Sequence, residues 1–340
     1  MICRNCRRQI SRFRQNPGRG RVEPWCAACN LWSQPAPDFL LRVCPGCGVD
    51  FATVRFAERL GCDTCYDTFR DELLLMMEQA GIRSKTTLFE HRPATDVAMA
   101  HHHQRTEYLQ KVCGRPPALP KSLPVDTAND ALITPKDDTM MARIRVARNF
   151  AGLRYLTCLD DDTSFWLSKY LLADDQPLIR FFAGHQIQFQ SGTTSPADLR
   201  RKVSTQGDVE ILTSDEDHLR LCFYRMIDRT SADDIVSQIQ LFSAKIDSLV
   251  SDLDRFFFFQ SRLHFGFLTA CPSNSGSGRR LSFRFALDDP SKFLADAVGR
   301  RFLIRGSSGE GSSLQDSLTV VAKENSDLGW LAHKFEVGFI

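Results

Sequence analysis

The sequence predicts an α+β protein: an antiparallel sheet with flanking helices, preceded by two small four-cysteine zinc ribbons. Three observations carry this. Eight of the twelve cysteines stand in four CxxC pairs, the last ending at Cys65. From Thr139 onward, short apolar runs recur at hairpin spacing with polar turns between them. Residues 233–257 repeat apolar side chains at positions 235, 236, 239, 242, 246, 249, 250, 253 and 256, the period of one long amphipathic helix. Strands at hairpin spacing beside a single long helix make an α+β domain.

At 340 residues the chain has room for two or three domains. The formal net charge of +2 argues against a general polyanion binder. The charge is uneven, because Arg4, Arg7, Arg8, Arg12, Arg14, Arg19 and Arg21 precede the first acid, Glu23. Such a run reads first as a solvated basic face, with contact to nucleic acid or an acidic partner as the minority reading; for the whole chain nucleic acid is not the expected partner. No apolar run is long enough to cross a bilayer, and Met1-Ile2-Cys3-Arg4 lacks the apolar core of a signal peptide. The expected location is cytoplasmic, where thiols stay reduced and serve as metal ligands or catalytic groups.

The pairs are Cys3/Cys6, Cys26/Cys29, Cys44/Cys47 and Cys62/Cys65. Two intervening residues put both thiolates of a pair on one knuckle, so each pair spans one edge of a tetrahedral zinc site. Spacers of 19 residues (7–25) and 14 residues (48–61) have zinc-ribbon spacing. Glycines 46, 48 and 61 supply tight turns. Sequential pairing gives a first ribbon over 1–35 and a second over 36–83, each holding one structural zinc ion; crossed pairing is the alternative. Four thiolates close the coordination sphere, so the ions serve folding and partner contact.

Asp71 to Gly81 reads as a short helix with acids in its first turn and glycine at its end. Residues 84–138 are a helical and proline-rich linker, with prolines at 116, 117, 120, 124 and 135. His101-His102-His103 reads as a polar helix face rather than a metal site, and Cys113 has no partner by spacing. From Thr139 the texture changes, and a further domain is expected over 139–340.

That last region carries four charged motifs in order. In Met141-Ala142-Arg143-Ile144-Arg145-Val146 a strand would set Arg143 and Arg145 on one face, with Ile144 and Val146 on the other. Two co-facial guanidiniums suit a polyphosphate; a solvated edge strand is the plain alternative. Ser214-Asp215-Glu216-Asp217-His218 joins two apolar runs, and three adjacent carboxylates there repel unless a cation is near. Gly266-Phe267-Leu268-Thr269-Ala270-Cys271 delivers one thiol into a Pro/Ser/Asn/Gly loop that ends in Arg279-Arg280. Such a loop can turn backbone N–H groups toward an anion, although a hairpin loop with a structural cysteine fits equally. Arg301 to Arg305 is a strand, followed by Gly306-Ser307-Ser308-Gly309-Glu310-Gly311, a loop with one carboxylate. No GxxxxGK[ST] phosphate loop and no protein-kinase signature occurs.

In that order the four motifs resemble the catalytic domain of the phosphagen kinase superfamily, most closely protein-arginine kinases of the McsB type, from about 139 to 340. The first 80 residues, through Cys44-Pro45-Gly46-Cys47 and Gly61-Cys62-Asp63-Thr64-Cys65, resemble McsA, a zinc-binding activator of those kinases. The resemblance implies a glutamine-synthetase-like sheet and ATP-dependent phosphorylation of arginine side chains in proteins. It assigns the ATP phosphates to Arg143, Arg145, Arg220, Arg280 and Arg305, with Mg²⁺ accompanying ATP. It gives the acceptor guanidinium to Glu216 and Glu310, with Cys271 beside it. Glycine at 311 favours a protein acceptor over a small guanidine. Departures from the family pattern are Ser214, Asp215 and the pair Met141-Ala142, where hydroxyl side chains are usual. The phosphoarginine-binding domain that follows in such kinases is not found before Ile340.

The partners the resemblance implies are arginine-bearing protein substrates, a chaperone–protease system or transcriptional repressor, and a second copy in a homodimer. No membrane is expected. Two other functions remain open: a kinase for a free guanidino metabolite, and a catalytically dead zinc-binding scaffold.

Overall fold

The protein is described by a computed structural model that covers residues 42–57, 59–79, 95–113, 139–159, 161–190, 200–213, 216–263, 265–286, 303–306, 317–321 and 325–336. Two compact units are present. One takes in residues up to His91 together with Gly152–Leu159 and Gln260–Ser277; the other takes in Arg92–Ala151, Asp160–Phe259 and Gly278 onward. Packing therefore divides the chain differently from sequence order, since two later segments join the ribbon's unit. The first ribbon's Cys3, Cys6, Cys26 and Cys29 lie outside the described residues, as do Asp215, Glu310 and Gly311.

The larger unit is built on a seven-stranded antiparallel sheet. Its strands are β1 (Thr139–Arg148), β2 (Arg201–Val203), β3 (Val209–Leu212), β4 (Leu219–Asp228), β7 (Arg279–Ala286), β8 (Leu303–Gly306) and β9 (Ser317–Val321). Their order across the sheet is β2-β3-β4-β1-β7-β9-β8. β1 is central, paired in register with β4 on one side and β7 on the other.

Strand alternation gives the sheet two unlike faces. Ile144, Val146, Leu221, Phe223 and Phe283 are buried on one face. Against β1 and β4 packs a long helix, Ala232–Phe256, which buries Ile235, Ile239, Phe242, Ile246, Leu249, Val250 and Leu253. The helix starts where the Ser231 side chain accepts the Asp234 N–H, with Asp233 and Asp234 in its first turn, favourable charges at a helix N-terminus. The period-3.6 pattern of 233–257 is thus a core-packing pattern, as expected. Residues Asn325–Glu336 form a further helix packed on it.

Two arginines of this apolar side are neutralised by the long helix. Arg148, 2% exposed, grips Asp254 with Nε–Oδ1 2.7 Å and Nη2–Oδ2 2.9 Å. Arg279 Nε lies 3.1 Å from Asp247 Oδ1. Gly278 has φ +62°, and a Cβ there would sit 2.5 Å from Arg148 Nη1 and 2.6 Å from Ala147 O, so this position admits no side chain.

A helix over Asp96–Cys113 packs on the helices Asp161–Leu172 and Ala232–Phe256. The linker region thus contains an element of the larger unit. Of the histidine triplet it carries, His101 stacks on Phe256 (4.4 Å) and Phe257 (5.4 Å), and His102 Nδ1 meets Arg105 Nη2 at 2.8 Å. The triplet is a packing surface with one hydrogen bond to an arginine.

In the smaller unit, short helices α1 (Phe51–Ala57), α2 (Thr64–Thr68) and α3 (Arg70–Gln79) frame the ribbon, and a two-stranded hairpin pairs β5 (Ser261–Arg262) with β6 (Gly266–Phe267). One core joins them: Phe51, Leu60, Tyr66, Phe69, Leu73 and Met77 from the ribbon pack with Tyr155, Phe265, Leu268 and Ala270. The helix expected over 71–81 is α3, and it begins one residue earlier.

Candidate functional site

The metal centre is the better-defined of two sites. Cys44, Cys47, Cys62 and Cys65 place their sulfurs within 4.8 Å of one another, the only such group among the described residues. Cys44–Cys62 is 3.6 Å, Cys47–Cys65 is 3.4 Å and Cys62–Cys65 is 4.0 Å. A tetrahedron of sulfurs at Zn–S of about 2.3 Å has edges of about 3.8 Å, so the four thiols fit the ion. Their electrostatics fit it as well. Hydrogen bonding, first of all from Cys65, draws the Cys62 thiol down to about 5. Cys65 is pushed well up, chiefly by its bond to Cys62, and Cys47 is pushed up to about 12, chiefly by burial. Crowding thus favours a thiolate at Cys62 and opposes one at Cys65 and Cys47, an opposition that a bound divalent cation would relieve. Glycine is required at Gly61, where a Cβ would lie 2.6 Å from Cys47 Sγ and 2.7 Å from Cys158 Sγ.

The second site is the other face of the large sheet. Register sets Arg145 directly across from Arg280 on β7 and Cys222 on β4, Arg143 across from Ser282 and Tyr224, and Arg220 across from Ala147. Opposed residues of an antiparallel pair point the same way, so Arg143, Arg145, Arg220 and Arg280 share one face. Arg143 Nε donates to Ser282 Oγ at 3.3 Å. Burial first, and then the Arg145, Arg143 and Arg280 charges, bring Arg220 down to about 9, with Cys222 opposing. Glu216 Oε1 stands 3.7 Å from Arg220 Nη2. Register puts Arg201 and Glu210 on this face too, paired with each other at 2.5 Å, so among the described residues guanidiniums outnumber carboxylates and the surface suits phosphate oxygens.

Of the remaining expected residues, Arg305 pairs with Thr319, and Thr319 with Arg284, so position 305 is in phase with 280 and 284 in the sheet register. Cys271 is half-buried and falls in the smaller unit, with the ribbon. Met141, one of the two departures before the first arginine, is buried with Cys222 and Tyr224. In the acidic turn, Asp217 and His218 are wholly buried. Asn149 Nδ2 donates to Asp217 Oδ1 at 2.6 Å, and Asn149 Oδ1 accepts from the His218 N–H at 2.9 Å. His218 Nδ1 accepts the Phe150 N–H at 3.0 Å. Only Glu216 of the described acids there faces the arginines; Asp217 instead fixes the turn to the end of β1.

Sequence reasoning passed over Arg284, which register puts on the basic face opposite Met141. The alternation Arg280-x-Ser282-x-Arg284 was the available signal. It also missed Tyr66 and Arg262, described below, for which spacing offers no signal.

A four-cysteine cluster that fits zinc and a sheet with one basic face characterise this α+β protein. The comparisons narrow this. Residues 172–329 match the family model of the ATP:guanido phosphotransferase C-terminal catalytic domain, and residues 41–87 that of the McsA central zinc-finger domain. Both parts of the resemblance drawn from the motifs are thereby borne out. The chain is 27% identical over 226 residues to a protein-arginine kinase of Symbiobacterium thermophilum, covering 56% of this chain and 59% of that one. It is 29% identical over 219 residues to a protein-arginine kinase of Moorella thermoacetica, covering 55% and 59%. The chain thus spans about three fifths of the length of these curated relatives. Among solved structures it is similar to the duplicated taurocyamine kinase of Schistosoma mansoni (TM-score 0.49, 18% identity, covering 84% of this chain and 42% of that one). No described helix is long and apolar enough to cross a membrane.

Proposed function

We propose that this chain is an ATP-dependent protein-arginine kinase with a zinc-binding activator module in the same polypeptide. The observation that carries the reading is the convergence of Arg143, Arg145, Arg220 and Arg280 on one sheet face beside Glu216. Like charges held this close are unfavourable alone, and a polyphosphate relieves them. These four, with Arg305, hold the phosphates of ATP; Mg²⁺ carried in with ATP neutralises part of the remaining charge.

The acceptor guanidinium, with a pKa above about 12, becomes a nucleophile only when aligned and relieved of a proton. Glu216 and Glu310 orient its planar nitrogens and take that proton. The N–P bond forms in line as the bond from the γ-phosphorus to ADP breaks. Cys271 supports the acceptor. Two structural zinc ions, one per ribbon, hold the N-terminal module, and the shared chain keeps it at high effective concentration beside the kinase. The product marks proteins for a chaperone–protease system or alters a repressor.

The test is mass spectrometry of casein after incubation with the chain and Mg-ATP. The expected result is an acid-labile phosphoryl group on arginine that disappears with Glu216→Gln. Faster phosphorylation of free arginine than of any protein would instead identify a metabolite kinase. No transfer to either would leave a zinc-binding scaffold.

A further inference from the structure

The loop that carries Cys271 is held by the zinc ribbon at several points, all within the smaller unit. Tyr66, the residue after the metal-ligating Cys65, is wholly buried. Its hydroxyl donates to the Thr269 carbonyl at 2.8 Å and accepts the Thr269 N–H at 3.4 Å, so one phenol closes both polar groups of that residue. The Leu60 N–H donates to Ala270 O at 2.7 Å. Thr269 then passes the constraint on, its Oγ1 donating to Cys271 O at 2.8 Å. Beyond the thiol, Ser275 Oγ reaches Met77 sulfur at 3.9 Å and Pro272 O at 2.7 Å. At the start of the hairpin, Arg262 Nη2 lies 3.1 Å from Asp67 Oδ2 and 3.5 Å from Asp63 Oδ2, on either side of α2's first turn. The Tyr66 ring packs edge-on to Phe265 at 4.8 Å.

A packing contact alone would need the ring and not the hydroxyl. Here the hydroxyl saturates the backbone of the residue two before the thiol, in a stretch where Leu268, Thr269 and Ala270 are all fully buried. Buried backbone groups left unmet carry a large desolvation penalty, so the loop has one favoured path. Residues 60–66 are in turn shaped by Cys62 and Cys65, whose geometry a zinc ion held by the four sulfurs would fix.

We propose that Tyr66 is a positioning residue for Cys271: through its two hydrogen bonds to Thr269 it transmits the shape of the zinc knuckle to the thiol, and so sets the reactivity of Cys271. The role given to Cys271 in arginine phosphorylation rests on the function proposed above; the positioning does not.

The test is peptide-resolved alkylation by iodoacetamide of the zinc-loaded full chain at fixed pH, with zinc content measured in parallel. Cys222, wholly buried in the larger unit, serves as the reporter of global opening. Tyr66→Phe keeps the ring and removes both hydrogen bonds. The expected result is a Cys271 rate raised about fivefold, the factor that ~1 kcal/mol of lost hydrogen bonding corresponds to, with zinc content and the Cys222 rate unchanged. A Cys271 rate equal to that of the unaltered protein overturns the proposal. Should Tyr66→Phe release zinc or expose Cys222, Thr269→Val replaces it as the deciding variant, because it breaks only the bond to Cys271 O; an unchanged rate there overturns the proposal. If arginine transfer is present, Tyr66→Phe lowers kcat and leaves the KM for ATP unaltered. If the unaltered protein transfers nothing while the alkylation rate still moves, the kinase reading fails and the positioning stands.

Discussion

Arg220 stands where burial and three neighbouring guanidiniums all disfavour its charge, bringing it to about 9 from an ordinary 12.5. A base whose folded pKa is depressed binds fewer protons in the native than in the unfolded state over that interval. Its contribution to stability therefore rises with pH between about 9 and 12.5 in the free protein. A bound polyphosphate opposes the shift by restoring a counter-charge. Nucleotide affinity should accordingly fall as pH rises through about 9. Arg220→Gln should weaken ATP binding by about 10–100-fold, in line with the loss of charge-assisted hydrogen bonds. Calorimetric titration of the wild type and the variant across this range reads both effects. Arg148 is held by a carboxylate instead. Its guanidinium is 2% exposed and paired with Asp254, so Asp254→Ala should destabilise the larger unit by about 3 kcal/mol, whereas Arg148→Met with Asp254→Leu should recover much of that. Urea unfolding followed by tryptophan fluorescence distinguishes them.

Among the elements, the helix Asp96–Cys113 is attached to the long helix partly through histidine rings. Burial lowers the pKa of His101, which stacks on Phe256 and Phe257. Burial and the nearby Arg105 charge lower that of His102. Both must lose solvation to charge, so the unfolded state takes up more protons, and the attachment weakens as pH falls below about 6.5. Amide exchange along residues 96–113 should quicken on acidification, and His101→Phe should blunt that response. The ribbon is the second such element. Removing zinc by chelation would leave four crowded thiols without the cation that draws them together. Exchange at the Leu60 amide, which donates to Ala270, should then rise by orders of magnitude, while the amides of β1 and β4 keep their protection. Equal loss across both would contradict a ribbon that opens by itself.

Across the whole molecule, what the sequence disclosed was local in its physics. A CxxC pair needs only a knuckle, so the second metal site was legible from four residues and a spacer. The alternation of Arg143 and Arg145 and the period of 233–257 were legible because strand and helix repeats are properties of neighbours. Which of Arg279 and Arg280 faces the basic side depends on pairing with β1, and only the register answers it: Arg280 lies opposite Arg145, while Arg279 turns to Asp247. The role of Asp217 in the acidic turn was hidden for the same reason, since its hydrogen-bond partner Asn149 is 68 residues away in the chain. Least visible of all was the joining of 152–159 and 260–277 to the ribbon, which depends on tertiary packing and leaves no mark in composition or spacing.

That joining sets an order of events for a chain emerging from the ribosome. The cysteines of the ribbon are made early, yet Tyr66 waits 203 residues for Thr269. Until then the nascent ribbon presents Tyr66, Phe69 and Leu60 without the side chains that cover them, a surface for a holding factor or for premature aggregation. Metal capture can come first, but the apolar core of the ribbon closes only after strands β1 to β4 of the larger unit have been synthesised.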